Sequence, residues 1–488
     1  MLTRLEVKGF KNLRDVDVRF GPLTCIAGLN GVGKSNLFDA ILFLSALAGR
    51  TFAEAFPLVR GGENLRELFS LPLAAEPRMS FAAEMLIPKE GIDDFGQPAI
   101  ASATYVRYEL VLRLVEGEGG FRPKLQLEKE ELRQLKKPER EDLGFPFGQE
   151  WLKSVVKASG RLTTFISTDE KSGSVRLHAD RMAKNTDNRR GGGRWADFPA
   201  KTLPRTVLSN ARNADENRTA VLVRQELLSW RLLQLEPSAL RRPDTFSDPD
   251  AMDATGAHLP AALFRLAYRP QDPEHTERIY SGLVDKLMDL VNGARALRVE
   301  RDDVRRLLTL ILREPDGLEL PASSLSDGTL RFLALLVLQL DPTASGVLCL
   351  EEPENGINPE RIDAMIDLLY SLTADCESAF DPENPLRQVL INTHSPLVAR
   401  YVKKDDLLFV RTSLFREGQQ QVRGFSLYCM EDSWRAKYFG NRPEMRGAVI
   451  SYLQGLTRPR EEAARQGERV LDFIGEQLSL FEPGNDRG

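Results

Sequence analysis

The chain has 488 residues, of which 42% are apolar and 28% charged, with a net charge of −5. This ordinary globular composition has room for roughly two to four structural units. No apolar run reaches bilayer-spanning length and "MLTRLEVKGF" lacks the apolar core of a signal peptide, so a cytoplasmic protein without membrane contact is expected. The mildly acidic balance argues against nucleic-acid binding by the whole surface, though not by a local patch.

The first segments, "TRLEVKGF" and "VDVRF", alternate apolar and polar residues as half-buried strands do. "LTCIA" is apolar nearly throughout, as a central strand buried on both faces would be. Gly28, Gly33, Lys34 and Ser35 then complete G-x-x-x-x-G-K-S, and a helix with apolar residues nearly all round runs from Lys34 to about Ala48. The glycines let backbone N–H groups curl around a phosphate, and the helix start adds its positive dipole end. Lys34 is expected on the β- and γ-phosphates and Ser35 on Mg²⁺. Asn30, Gly31 and Asn36 complete the expected nucleotide contacts.

The middle, about 60 to 320, is mixed. "RMSFAAEMLI", "TYVRYELVLRL" and "PKLQLEKE" read as strands. In the second, Val106, Tyr108, Leu110, Leu112 and Leu114 share one face and Arg107, Glu109 and Arg113 the other, which predicts an antiparallel meander with one wet face. The loop "NTDNRRGGGRW" (185–195) puts Arg189, Arg190 and Arg194 where they could touch nucleic acid, or where they are simply solvated. A helix is predicted from about Glu216 to Leu235, ended by Pro237, followed by a Pro/Asp-rich connector over 241–256. Helices follow in "LPAALFRLA" and "RIYSGLVDKLMDLV", then a hairpin turning at Pro315-Asp316-Gly317. No heptad pattern persists long enough for a coiled-coil arm, and no internal repeat is found. Cys25, Cys349, Cys376 and Cys429 lie far apart without a CxxC pair, which argues against a zinc hook or ribbon. Cys25 and Cys349 sit in apolar runs and are expected to pack as small hydrophobes.

Three further motifs belong with the phosphate loop. In "SLSDGTLRFLALLVLQL", Ser326 is a natural cap for a long apolar helix and Gly328 permits close backbone approach. By itself this is also an ordinary capped helix. With Asp327 it forms a second anion-binding turn about twenty residues before "GVLCLEEPENG". That segment is an apolar strand ending in two acids, the Walker B arrangement: Glu351 for the Mg²⁺ shell and Glu352 to polarise the attacking water. Finally, "QVLINTHSP" delivers His394 at the end of a buried strand, where it fits a γ-phosphate sensor.

These four elements in this order resemble the ABC-type ATPase head of the RecF and SMC class, and in particular bacterial "AAA family" ATPases with a Walker B of the form "EEPENGINP". The resemblance covers about residues 1–70 and 320–412. It extends more loosely to "LLSWRLLQLEPSALRRP" and "GAHLPAALFRLA", similar to that group's helical lobe. Overlapping OLD nucleases share the head, as do ATPase subunits of anti-phage systems such as Septu and PARIS. The implied fold is α/β, an ABC-type P-loop head with a mixed or parallel sheet core and an antiparallel β lobe. A helical lobe is inserted between Walker A and the signature motif. The implied organisation is 1–70 and 296–412 for the head, 71–205 for the β lobe and insert, 206–295 for the helical lobe and 413–488 for a C-terminal extension.

The resemblance also implies a mechanism. ATP would lie between the phosphate loop of one subunit and the signature turn, Ser326, Asp327 and Gly328, of another, so that the protein works as a dimer or higher assembly. Two departures stand out. Glu351 replaces the aspartate of most ABC heads, which leaves its Mg²⁺ role open. No Q-loop glutamine can be placed, Gln97 being a candidate only. After His394 no Asp-x-Asp pair of a Toprim nuclease is found, so a nuclease is expected to be a separate protein.

The tail "EQLSLFEPGNDRG" contains Gln477, Leu478, Leu480 and Phe481, spaced like the pentapeptide by which bacterial proteins dock on the DNA sliding clamp. A last helical turn packed on the body explains it equally. The expected function is an ATP-gated assembly on DNA or a DNA-bound partner, in repair or anti-phage defence. The alternative is an ATP-dependent scaffold that holds and releases a separate nuclease or toxin effector. A transporter ATPase is disfavoured by the long insert and by the lack of a coupling segment.

Overall fold

The strand after which the phosphate loop begins, β1 (Leu23–Ala27), is buried at all five positions. In this computed structural model, which describes residues 1–116, 122–138, 140–158, 162–180, 195–290, 293–417, 420–430 and 433–439, it lies inside a six-stranded sheet. The other strands are β2 (Arg231–Leu233), β3 (Gly346–Glu351), β4 (Arg387–Thr393), β5 (Leu407–Glu417) and β6 (Gln420–Cys429), in the order β2-β3-β4-β1-β5-β6. All pairs are parallel except β5–β6.

Parallel strands buried on both faces need helices or another sheet on each side. Alternation along the strands meets that need. Ile26, Val347, Cys349 and Leu390 enter one core with Leu37, Phe38 and Ile41 of α1 (Lys34–Leu47). Cys25, Leu348, Leu350, Val389 and Ile391 enter a second core. This one is closed by α3 (Leu259–Ala267), α4 (Pro273–Leu290), α5 (Asp327–Leu340) and α6 (Ile362–Leu372). All four cysteines are free and buried. Burial pushes the Cys25 and Cys349 thiols far up, so they pack as apolar groups.

The first core is shared with an eight-stranded antiparallel sheet. From one edge to the other its strands are Trp195–Pro199, Ser174–His178, Thr164–Asp169, Lys124–Gln134, Tyr105–Val115, Arg78–Leu86, Leu2–Phe10 and Leu13–Arg19. The expected meander is present and extended at both ends. Its inward residues include Val106, Tyr108, Leu110 and Leu112, and its other face carries paired charges. Arg107 bonds Glu6, Glu84 and Glu109, and Lys129 bonds Glu109 and Glu131. One acid lies inside. Glu130 is fully buried and accepts from the backbone N–H of Val207 (2.6 Å) and Leu208 (2.8 Å) and from the Tyr108 hydroxyl (3.0 Å). Burial pushes its carboxyl up to about 7 against those three donors.

The fold is thus α/β, an ABC-type P-loop head with an antiparallel β lobe and with helices between the phosphate loop and the Ser326 turn. One element differs from expectation. The helix predicted to reach Leu235 stops earlier: α2 spans Ala214–Leu228, and Arg231–Leu233 pairs with Leu348–Leu350 as the edge strand β2. Trp230, 2% exposed, is buried at the break, with its indole N–H on Glu226 (3.1 Å). "RLL" suits either conformation, and a place beside β3 decides it. The six-stranded sheet also draws on 231–233 and on 413–429, beyond the stretches 1–70 and 296–412 expected for the head. The predicted hairpin at Pro315-Asp316-Gly317 is formed, with Gly317 at φ 90°. Among the described residues the longest helix, α4, has 18 residues and no helix is long and apolar enough to cross a membrane. The basic loop, apart from Trp195, and the tail with Gln477, Leu478, Leu480 and Phe481 lie outside the described residues.

Candidate nucleotide site

The parallel order puts the ends of β1, β3 and β4 side by side, and loops after parallel strands are where α/β sheets bind ligands. Register makes the placement specific. Glu351 pairs with Asn392, and Thr393 with Ala27. The Gly28 N–H then donates to the Thr393 carbonyl (3.2 Å), which fixes the start of the phosphate loop.

The loop has the shape a phosphate cradle needs. Gly33, the N-cap of α1, sits at φ 96°, and a Cβ there would come within 2.0 Å of the Asn12 side chain. A Cβ on Gly28 would meet the Val410 carbonyl at 2.7 Å. Both positions accept only glycine. Asn12 braces the loop from below, donating to the Val32 carbonyl (3.0 Å) and accepting from Asn36 (2.8 Å). No acid occupies the first turn of α1, so its dipole is left for an anion. The Lys34 ammonium donates to the carbonyls of Gly28 (2.7 Å) and Leu29 (2.9 Å). Burial lowers its pKa, while Glu352, Glu354 and Glu351 act the other way.

The acids line the opposite wall. Burial opposes the charge of Glu351, yet hydrogen bonds from Ser35, Arg60 and Asn392 and the charge of Arg60 bring its carboxyl below the usual range. Arg60 grips it with two bonds, 2.8 and 2.9 Å, and the Asn392 amide adds a third at 3.1 Å. Glu352 adopts φ 47°, an uncommon conformation for a residue with a side chain. It accepts from Asn355 (2.8 Å) and contacts His394 Nδ1 (2.8 Å). Burial again works against its charge, and those two partners with Lys34 outweigh it, so its carboxyl is held low. Glu354 lies behind. It accepts from the Thr393 hydroxyl, and burial pushes its carboxyl up.

These groups surround a cavity of about 650 Å³, within the range of small-ligand sites. Of the predicted residues, Asn30, Gly31, Gly33, Lys34, Ser35, Glu351 and Glu352 line it. Gly28, Asn36 and His394 support those residues from outside. Ser326, Asp327 and Gly328 do not line it. Ser326 caps α5, accepting from the Thr329 N–H (3.2 Å), and Asp327 pairs with Arg241 at 2.5 Å. Ser326 and Asp327 are exposed.

Sequence reasoning missed Arg60, Asn392 and Gln234. Gln234 follows β2 directly and lines the cavity, whereas the candidate Gln97 closes a turn on Asp93 elsewhere. Strand-like "RLL" ending in a glutamine was the available signal, masked by the helical reading. For Asn392 the signal was a polar residue closing an apolar strand next to Walker B. Arg60 comes from an irregular loop and had none.

The glycine cradle, the free helix start, and the hydroxyl and carboxylate donors of Ser35 and Glu351 fit a nucleoside triphosphate with Mg²⁺. The matching family models are those of AAA domains, which agrees with an ATP site. A family model described as "AAA domain, putative AbiEii toxin, Type IV TA system" matches residues 115–400, and one described as "AAA domain" matches residues 4–77. A 41-residue stretch is 54% identical to an OLD nuclease of Thermus scotoductus, covering 8% of each chain. A 72-residue stretch is 36% identical to the DNA replication and repair protein RecF of Porphyromonas gingivalis, covering 14% of this chain and 20% of that protein. These matches span no more than 20% of the length of these curated relatives. Among solved structures, an Smc head bound to the C-winged helix domain of ScpA aligns over 88% of this chain and 98% of that one, with TM-score 0.41 and 14% identity. The SMC head domain of Thermotoga maritima aligns over 88% and 99%, with TM-score 0.33 and 15% identity.

Proposed function

This chain belongs to the AAA-domain family whose model spans residues 115–400, and on that premise we propose a Mg²⁺-dependent ATPase whose nucleotide joins two copies of the chain. One observation carries the reading. Phosphate loop and Walker B acids share one cavity, while the anion-binding turn at Ser326 stays outside it and exposed. Although Asp327 occupies its first turn, this exposed helix start outside its own cavity is suited to face a partner's nucleotide.

Mg²⁺·ATP supplies the transferable phosphoryl group and the charge that neutralises it. The chain's residues do the rest. The N–H groups of the loop and Lys34 bind phosphate oxygens, and Ser35 and Glu351 would hold the metal. Glu352 orients a water and takes its proton at a carboxylate oxygen, with Asn355 and His394 fixing that carboxylate. Gln234 is placed to report occupancy to the helices that follow it. Ser326, Asp327 and Gly328 close the site in trans, so that ATP binding shifts an open assembly to a closed one.

The similarity to RecF stretches supports action on DNA or a DNA-bound partner in repair; a role in defence and a cytoplasmic location belong to the proposal without that support. Docking on a sliding clamp through Gln477, Leu478, Leu480 and Phe481 belongs to the same proposal. Equal clamp pull-down by wild type and the Leu480→Ala/Phe481→Ala variant would remove it. A second reading is an ATP-dependent scaffold that holds and releases a separately encoded nuclease or toxin.

Turnover measured across protein concentrations, with and without DNA, tests the first reading. Specific activity should rise with concentration, and further with DNA. Turnover independent of both would refute trans closure. Turnover that rises with concentration but ignores DNA would favour the scaffold.

A further inference from the structure

The acid that would hold the metal already has a cation of the chain on both of its oxygens. Arg60 donates from Nη1 to Glu351 Oε2 (2.8 Å) and from Nη2 to Oε1 (2.9 Å). The guanidinium is anchored on its far side as well. Its Nε donates to Asp39 Oδ1 (3.0 Å) and its Nη2 to the Ser35 carbonyl (3.1 Å). Asp39, 3% exposed at its side chain, is itself held by Lys11 at 2.6 Å. The same ammonium donates to the Arg60 carbonyl at 2.6 Å. Side chain and backbone of Arg60 are thus both fixed, by Asp39 and Lys11 outside the nucleotide cavity and by the Ser35 carbonyl, which pre-orients the fork for a carboxylate.

We propose that Arg60 is a latch on Glu351 that competes with Mg²⁺, so that the metal enters by displacing a guanidinium. The inference rests on the reading of Glu351 as a metal ligand and goes beyond it. Glu351 Oε1 takes the Arg60 and Asn392 bonds and Oε2 the other Arg60 bond, and the Ser35 hydroxyl bonds the same carboxylate, four donors in all. A carboxylate offers about four acceptor positions, so a direct metal bond requires part of this arrangement to open. Two features make the opening accessible. The Arg60 side chain is 47% exposed and can swing toward solvent. Its second carboxylate, Asp39, retains it on release. Arg60 therefore acts as a positioning residue that sets how readily the metal is taken up.

The test is a double-mutant cycle of Arg60→Gln and Glu351→Gln, read as thermal unfolding of the nucleotide-free full chain in chelator. It is joined by Mn²⁺ titration of the wild type, Arg60→Gln, Arg60→Lys and Glu351→Gln. The latch predicts non-additive stability changes in chelator. It also predicts Mn²⁺ binding roughly three- to tenfold tighter in Arg60→Gln than in wild type, with Arg60→Lys between them. An additive cycle, or equal Mn²⁺ affinities in wild type and Arg60→Gln, overturns it. Mn²⁺ binding to Glu351→Gln as tight as to wild type would instead defeat the metal-ligand reading of Glu351, and the cycle in chelator would still report on the ion pair.

Discussion

The two sheets share one core and handle charge in opposite ways. In the eight-stranded sheet, charge is spread along the strands on the open face and cancels locally, as in the group of Arg4, Arg107 and Lys129 with Glu6, Glu84 and Glu109. In the six-stranded sheet both faces are covered, so charge gathers at the strand ends. There Glu351, Glu352 and the Lys34 loop meet, and the further partners of the acids come from elsewhere: Arg60, Asn355 and His394. A half-wet sheet has a place for ions at every second residue, whereas a doubly covered one offers only its edges. The same covalent material therefore yields a neutralised surface in one sheet and a reactive edge in the other.

Substitutions can break this contrast, the largest effects being expected at the reactive edge. Glu352→Gln keeps the shape and removes the base, so kcat should fall by about 10²–10⁴ with ATP binding retained. Unchanged turnover would remove Glu352 from the chemistry. Lys34→Ala should weaken ATP binding roughly a hundredfold by calorimetry, and equal affinity would show that the loop is not the phosphate site. His394→Ala should cost about tenfold in kcat with little change in KM, since the histidine touches Glu352 and does not line the cavity.

The antiparallel sheet should respond through stability instead. Glu130→Ala strands two buried backbone N–H groups and should cost about 1–3 kcal/mol in denaturant unfolding. It also tests a pH dependence. The folded-state pKa of Glu130 is raised, so between the ordinary 4.5 and about 7 the folded chain holds a proton that the unfolded chain has lost. That contribution to stability is present below the ordinary value and is lost as pH rises toward 7. Its absence from the wild type minus Glu130→Ala difference would mean that Glu130 is ionised throughout. The smallest effect is expected for Arg107→Ala, on the order of 1 kcal/mol or less, because Arg4 still pairs with Glu6 and Glu84 and Lys129 with Glu109.

Much of the site was legible because its residues act through local geometry. "GLNGVGKS" needs its glycines for conformations that other residues rarely adopt, and Gly33 at φ 96° shows why no substitution would preserve the pattern. "VLCLEE" is a run too apolar for any place but a covered strand, so its acids had to emerge at an end. The eight-stranded sheet announced itself by alternation. The failures have one cause. β2 has three residues, too few for periodicity to tell strand from helix, and only the free edge of β3 made it a strand. With it went Gln234. Arg60 and Asn392 reach Glu351 from distant parts of the chain, and Asp39 and Lys11 hold Arg60 from two others.

The sequence alone therefore determined the phosphate loop, the Walker B strand, the capped helix at Ser326 and the alternating strands. In each case the backbone conformation or the burial of a short segment is dictated by its own residues. Tertiary structure decided which charges meet. Strand order and register set Asn392 beside Glu351, and loop packing brought Arg60 onto the same carboxylate. Coulombic and hydrogen-bond partners are chosen by distance in space, and separation along the chain does not encode that distance.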